Sequence, residues 1–249
     1  MKRQRIRKGL LIVSLLLFPI TIWYFSPYVI IQGALEHIIS GSAVVFIILA
    51  IASMFFGRVF CGYLCPMGGL QECAMLVNDK ARKRDWRYSI KYIIWIVWIA
   101  GVLVSYLLGK GNYQINVFYM TDHGISVSNI FSYITYYAIL ILFLIPSICF
   151  GKRFACLYFC WIAPFMVIGG KIGRILHLPQ LHIRVNDNQC ISCNKCSKSC
   201  PMSINVMEKV EAGEINDAEC IQCGTCVDVC PKHILTYDMT KVAKKKNGK

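Results

Sequence analysis

Two cysteine runs near the carboxyl end constrain this 249-residue chain more than any other feature. The first reads Cys190-Ile-Ser-Cys193-Asn-Lys-Cys196-Ser-Lys-Ser-Cys200-Pro201. The second reads Cys220-Ile-Gln-Cys223-Gly-Thr-Cys226-Val-Asp-Val-Cys230-Pro231. Both follow the pattern C-x₂-C-x₂-C-x₃-C-P. Zinc takes its ligands as two pairs and has no use for a third cysteine at x₂ spacing or for the closing proline. Thiolates at this spacing suit a cubane instead, three of them wrapping one corner of it. A segment this small cannot hold itself together by apolar burial, so bound clusters would serve as its core.

Across both runs the segment resembles the two-cluster ferredoxin domains appended to many membrane oxidoreductases. The resemblance implies one [4Fe–4S] cluster on Cys190, Cys193, Cys196 and Cys230, and a second on Cys220, Cys223, Cys226 and Cys200. The fourth cysteine of each run thus crosses to the other cluster. Ile191 and Ile221 would form an apolar wall over the clusters. A small α+β domain of two short hairpins and two short helices is implied over residues 179–240, followed by a basic tail, 241–249.

The rest of the chain is not that of a soluble protein. Hydrophobic residues make up 56% and charged residues 16%, and charge is absent from Gly9 to Gln32, Ile38 to Gly57, Tyr92 to Gly109 and Val127 to Gly151. Each run approaches or exceeds the roughly 18–20 residues that cross hydrocarbon as a helix. A mainly α-helical membrane protein is predicted, with a four-helix transmembrane domain over 1–178 and helices at about 9–32, 37–57, 89–109 and 127–151. The basic octapeptide Met1 to Lys8 could head a signal peptide. The apolar part is long and no A-x-A site follows, so the segment is expected to be retained.

Lysine and arginine set the orientation. They gather at Lys2, Arg3, Arg5, Arg7 and Lys8, at Lys80, Arg82, Lys83, Arg84, Arg87 and Lys91, and at Lys152, Arg153, Lys171 and Arg174. The intervening loops carry only Lys110. Both termini and the ferredoxin domain are therefore expected on the cytoplasmic face of the cell (inner) membrane. The net charge of +14 then reflects topology and contact with anionic lipid rather than nucleic-acid binding.

The membrane half repeats a cysteine motif. The second helix leads into Phe56-Gly57-Arg58-Val-Phe60-Cys61-Gly-Tyr63-Leu64-Cys65-Pro66, and the fourth into Phe150-Gly151-Lys152-Arg153-Phe154-Ala-Cys156-Leu-Tyr158-Phe159-Cys160-Trp161. An internal two-fold repeat about the membrane normal would bring Cys61, Cys65, Cys156 and Cys160 to one depth. Paired C-x₃-C motifs after two of four helices, followed by a two-cluster ferredoxin, resemble the NapH-type membrane quinol dehydrogenases over nearly the whole chain. That resemblance implies a subunit of an oxidoreductase complex that passes electrons from the quinol pool towards a periplasmic reductase. It departs at Trp161, where the family has proline; Pro164 follows three residues later.

Three roles are open for the four thiols: small buried core cysteines, a disulfide within each pair, or a further iron–sulfur site whose charge Arg58, Lys152 and Arg153 would stabilise. Cys73 and Cys149 stand outside the pattern and are expected in the core. No histidine falls mid-span, so no haem b is expected. The pairs Gly68-Gly69 and Gly169-Gly170 lack a dinucleotide-loop context and suit close helix packing.

A quinone could enter from lipid against Trp95, Trp98, Tyr106, Tyr133, Tyr136 and Tyr137, although each alone reads as an interfacial aromatic. Glu36, His37, Asp122 and His123 could accept protons near the outer face, although residues so placed are more often plain loop residues. The expected function is membrane-bound iron–sulfur electron transfer between the quinone pool and a partner redox protein. The alternative is a maturation or regulatory factor that supplies electrons or handles copper for a partner metalloenzyme.

Overall fold

A computed structural model describes residues 2–82, 85–108, 113–186, 190–211 and 213–240. Lys83, Arg84, Lys110 and the basic tail, which entered the charge argument, lie outside the described residues.

The first apolar run is not one helix. Helix α1 (Lys2–Leu16) gives way to α2 (Phe18–Thr21), a 3₁₀ turn over Ile22–Phe25, and then α3 (Pro27–Leu35). Pro19 and Pro27 each occupy the first turn of a new helix, because proline has no N–H for the turn before it. The chain bends by 59° between α1 and the following piece. The second run also falls short of its expected bounds. Strand β1 (Ile38–Ser40) pairs in parallel with β2 (Gln114–Asn116), tying the two loop regions together, and Ser40 then caps α4 (Gly41–Phe56). At 16 residues, α4 spans about 24 Å, less than the ~30 Å of hydrocarbon.

Helices α7 (Ile90–Leu108) and α8 (Ile130–Phe150) are long and apolar enough to cross a membrane, and the bent α1–α2 piece would make a third. Their outward faces carry exposed Ile93, Ile96, Val97, Ile134, Ile141 and Ile145.

One series of elements follows both α4 and α8. Gly57 and Gly151 end those helices at positive φ, each donating its N–H to a serine carbonyl four residues back, Ser53 and Ser147. Five-residue helices come next, α5 (Val59–Tyr63) and α9 (Phe154–Tyr158). Buried helices α6 (Pro66–Ala74) and α10 (Ala163–Ile175) close each series. They pack crosswise, α6 against α1 and α8, and α10 against α4. A Cβ at Gly69 would lie 2.4 Å from the Leu11 carbonyl oxygen, and one at Gly169 would lie 2.5 Å from that of Ala50. The glycine pairs therefore serve close packing.

The carboxyl part is built on a three-stranded antiparallel sheet rather than two hairpins. Central β3 (Gln180–Val185) pairs along its whole length with β5 (Leu235–Thr240), and at its end with the two-residue β4 (Glu214–Ile215). The strands that flank the cysteine runs meet each other, which leaves the runs as turns on short helices. These helices are α11 (Lys195–Lys198), α12 (Val206–Glu211) and α13 (Thr225–Val229). The two runs bend alike: Ser192 and Asn194 in the first, and Gln222 and Gly224 in the second, take positive φ. One apolar core continues from Phe46, Leu49, Phe154 and Met166 into Ile183, Met202, Ile221 and Leu235, so the two parts share an interior.

Candidate functional site

The structure brings the two expected ligand sets together. Cys190, Cys193, Cys196 and Cys230 line one cavity, walled by Ile191, Val210, Ile234 and Leu235. Cys200, Cys220, Cys223 and Cys226 line a second, walled by Ile183, Ile204, Val206, Ile215 and Ile221. The crossing of Cys200 and Cys230 follows from the sheet, since pairing β3 with β5 folds the end of each run onto the start of the other. The first cavity lies at the surface, with Cys190, Cys193 and Ile191 exposed. The second lies inside. Burial and the neighbouring Cys223 push the Cys200 thiol up to about 11, and burial raises Cys220 and Cys226 further. Thiols so placed ionise only against a strong local positive charge, which ligated iron supplies. Among the described residues no three His, Cys, Asp or Glu side chains converge on a single ion. Four thiols around an apolar cavity instead suit the wider cubane.

The second cysteine loop sits directly on the membrane half. Glu219, next to Cys220, is ion-paired with Arg58, which links α4 to α5, and lies 2.7 Å from Lys91 at the start of α7; all three side chains are buried. A Cβ at Gly62 in α5 would lie 2.3 Å from the Ile221 carbonyl oxygen, so backbone touches backbone there. From α1, Gln4 donates to the Cys223 carbonyl at 2.9 Å and to Asp228 at 2.6 Å, while Arg3 forks onto Asp228 at 2.5 and 3.2 Å. Burial works against the Asp228 carboxylate, yet these donors hold it below its ordinary range. Gln180 adds bonds of 2.8 Å to the Met54 and Gly170 carbonyls.

The paired motifs also meet. Cys61 lies in α5, Cys65 is the N-cap of α6, Cys156 lies in α9, and Cys160 precedes α10. All four are 4–6% exposed, free of disulfides, and near enough to interact electrostatically. Cys61 Sγ is 3.5 Å from Met166 Sδ, and Gln71 Nε2 is 2.7 Å from Cys156 Sγ. Arg153 donates to the Cys61 carbonyl at 2.9 Å and to Glu72 at 2.9 Å, and Glu72 also accepts from Arg7 at 2.8 Å. Lys152 behaves otherwise than expected, turning to the Lys198 carbonyl of the cysteine-rich part and to Asp79 in the connection after α6. Cys73 and Cys149 are exposed rather than in the core, since they fall on the outward faces of α6 and α8. Pro164 takes the place of the missing proline after Cys160 by sitting in the first turn of α10.

An apolar cavity of about 520 Å³ opens among Phe18, Ile22, Trp23, Phe25, Tyr28, Ile139 and Trp161. Cys65, Pro66, Met67 and Ile162, at the starts of α6 and α10, close its inner end, and Ser26 and Thr135 add hydroxyls. None of the six aromatics expected to form such a wall lines it. Trp98 is tied to the Pro27 carbonyl at 3.0 Å, Tyr136 packs on Phe18, and Tyr106 stacks on Tyr113. His37 is buried against Tyr113, whereas His123 and Asp122 pair at 2.8 Å in the open. Sequence reasoning missed Gln4, Gln71, Glu72 and Glu219. Their one signal was isolation: Glu72 is the sole acid between Glu36 and Asp79, and Glu219 abuts a cluster cysteine.

Comparison with known proteins adds two domain matches. A family model described as a 4Fe–4S binding domain matches residues 40–84, spanning α4 to α6, and one described as a 4Fe–4S dicluster domain matches 182–231. An uncharacterized protein of Methanocaldococcus jannaschii is 27% identical over 68% of each chain. The "Putative electron transport protein YccM" of Escherichia coli is 26% identical over 74% of this chain and 52% of its own. The "Regulatory protein NosR" of Stutzerimonas stutzeri is 27% identical over 51% of this chain and 18% of its own. No solved structure matches.

Proposed function

We propose that this iron–sulfur electron-transport protein is a membrane subunit that carries electrons between the quinone pool and a partner redox protein. In this reading the chain is a four-span membrane domain, 1–178, built on a duplicated unit, with a two-cluster domain over 179–240 at its cytoplasmic face. Cys190, Cys193, Cys196 and Cys230 hold the outer [4Fe–4S] cluster, and Cys220, Cys223, Cys226 and Cys200 the inner one. When bound, each cluster stores one electron, whereas a quinol releases two with two protons, so a pair of clusters matches a quinol.

The contact between Gly62 and Ile221 carries this reading. It sets the inner cysteine loop against the C-x₃-C helix with no side chain between their backbones. The buried side chains of Glu219, Arg58 and Lys91 join the same two segments beside that contact. On the other side of the C-x₃-C segments, Trp23, Trp161, Phe25 and Ile139 offer an apolar slot of a size that suits a quinone ring. At the far end Cys190, Cys193 and Ile191 are exposed and leave the outer cluster accessible to a partner.

The test uses anaerobic protein in lipid nanodiscs, its clusters reduced beforehand, with menaquinone dissolved in the lipid. Two clusters giving one electron each, with two protons from water, reduce one quinone. The visible absorbance of oxidised clusters is expected to return. It should fail to return in Ile139→Trp, which fills the cavity while leaving all cysteines in place. A parent that lipid-dissolved quinone cannot reoxidise contradicts the quinone limb. The close Cys61–Met166 sulfur pair favours a second reading, a maturation factor that handles Cu(I). Tight Cu(I) binding lost in Cys61→Ser, in a protein that ignores quinone, would select it.

A further inference from the structure

The first apolar run breaks at Ser26, where the backbone is extended (φ −86°, ψ 123°) between the 3₁₀ turn and α3. Both backbone groups of Ser26 are satisfied inside the protein. Its N–H donates to the Trp23 carbonyl at 3.2 Å, and its carbonyl accepts from the Ser42 hydroxyl at 2.8 Å. Its own hydroxyl is different. A serine at an N-cap ordinarily accepts from an amide of the first turn, yet Ser26 makes no such capping bond. The residue is 8% exposed and lines the apolar cavity beside the C-x₃-C segments, and its hydroxyl has no hydrogen-bond partner among the described residues. The other two hydroxyls of that lining are exposed and engaged: Thr135 donates to the Phe131 carbonyl at 3.1 Å, and Tyr28 accepts from Gln32 at 2.6 Å.

The cavity also lies where helices begin. Pro27 opens α3, Pro66 opens α6 and Ile162 is the N-cap of α10, and all three residues line it. None of the three helices has a side-chain capping bond. The first amides of a helix have no carbonyl partner within it and carry partial positive charge. Among the described residues no Lys, Arg, His, Asp or Glu lines the cavity. Such a site suits a neutral, flat molecule with an oxygen acceptor on its rim. Trp23, Phe25 and Trp161 offer apolar faces to its ring, and Ser26 offers a donor to its oxygen. A lipid tail has no acceptor and would leave the buried hydroxyl unpaired.

We propose that Ser26 positions the quinone, its hydroxyl donating to one ring carbonyl oxygen at the open start of α3. The inference rests on the quinone reading of the cavity and adds the group that orients the ring there. Negative charge grows on the carbonyl oxygen as electrons arrive from the clusters, and a fixed donor beside helix starts stabilises it. The hydroxyl keeps its own proton. The two electrons of each quinol come one from each cluster, and the two protons come from water.

The test uses full-length protein in lipid nanodiscs with menaquinone carrying carbon-13 at its ring carbonyls. In the parent, the infrared carbonyl band of bound menaquinone is expected below that of menaquinone in protein-free lipid. In Ser26→Ala the band should move back towards the free position. The menaquinone level that half-saturates reoxidation of reduced clusters should rise several-fold, at parent iron content and parent unfolding temperature. Ser26→Thr, which keeps a hydroxyl, should restore both band and half-saturation. A parent that menaquinone reoxidises, with Ser26→Ala unchanged in band and half-saturation, overturns the role of Ser26 and leaves the quinone reading standing. A lowered unfolding temperature in Ser26→Ala overturns it too, because the hydroxyl would then be bonded within the protein. A parent that menaquinone neither binds nor reoxidises overturns the quinone reading and this inference with it.

Discussion

Glu219 pairs with Arg58 across 161 positions of sequence, and the same carboxylate lies 2.7 Å from Lys91. Replacing it by glutamine leaves Arg58 buried without this anion, at a cost of about 3–5 kcal/mol. Thermal unfolding of Glu219→Gln should report that loss, together with faster proteolysis between the two parts. Glu72 gives a pH-dependent counterpart. Burial works against its carboxylate, but Arg153 and Arg7 prevail and hold it at about 2. An unfolded glutamate titrates near ~4.3. The folded value is the lower one, so Glu72 contributes stability above that pH, and the contribution fades as pH falls towards about 2. The stability gap between the parent and Glu72→Gln should therefore narrow between about pH 5 and pH 2. A gap independent of pH would show that the charge plays no part. The grouping of the cysteines into two cavities was legible because their spacing repeats along the chain. Glu219 and Glu72 were not, because their partners are set by the fold.

The apolar runs announced helices correctly, but hydropathy does not register that Pro19 and Pro27 each force a new start, so the first run became three pieces. Nor does it register that Ile38 to Ser40 would pair with Gln114 to Asn116, which shortens α4. The duplicated C-x₃-C motif was legible, and so was the use of its glycine pairs for packing. What sequence could not give was the crossing of α6 onto α8 and α10 onto α4. Gly169 tests that crossing, since a leucine there must displace α4 at Ser53 and Ala50. Gly169→Leu should cost at least ~1–3 kcal/mol of stability in detergent. Gly9→Leu, which meets nothing within 4 Å, should not.

The molecule as a whole joins an apolar part, with long exposed apolar helices, to a cysteine-rich part through one shared core. Residues 190–231 contribute few strands or long helices of their own, so removing iron should unfold them first. Chelation under reducing conditions is expected to expose this segment to protease while α7 and α8 remain protected. Equal protection of both parts would show that the apolar core alone suffices. In the proposed path electrons cross between the two parts where Gly62 meets Ile221. Gly62→Val breaks that contact, because the added carbons must push the inner cysteine loop away from α5. The measurement is the rate at which lipid-dissolved menaquinone reoxidises reduced clusters, in parent and variant of equal iron content. A rate several-fold slower in Gly62→Val supports the crossing at this contact, and an unchanged rate contradicts it.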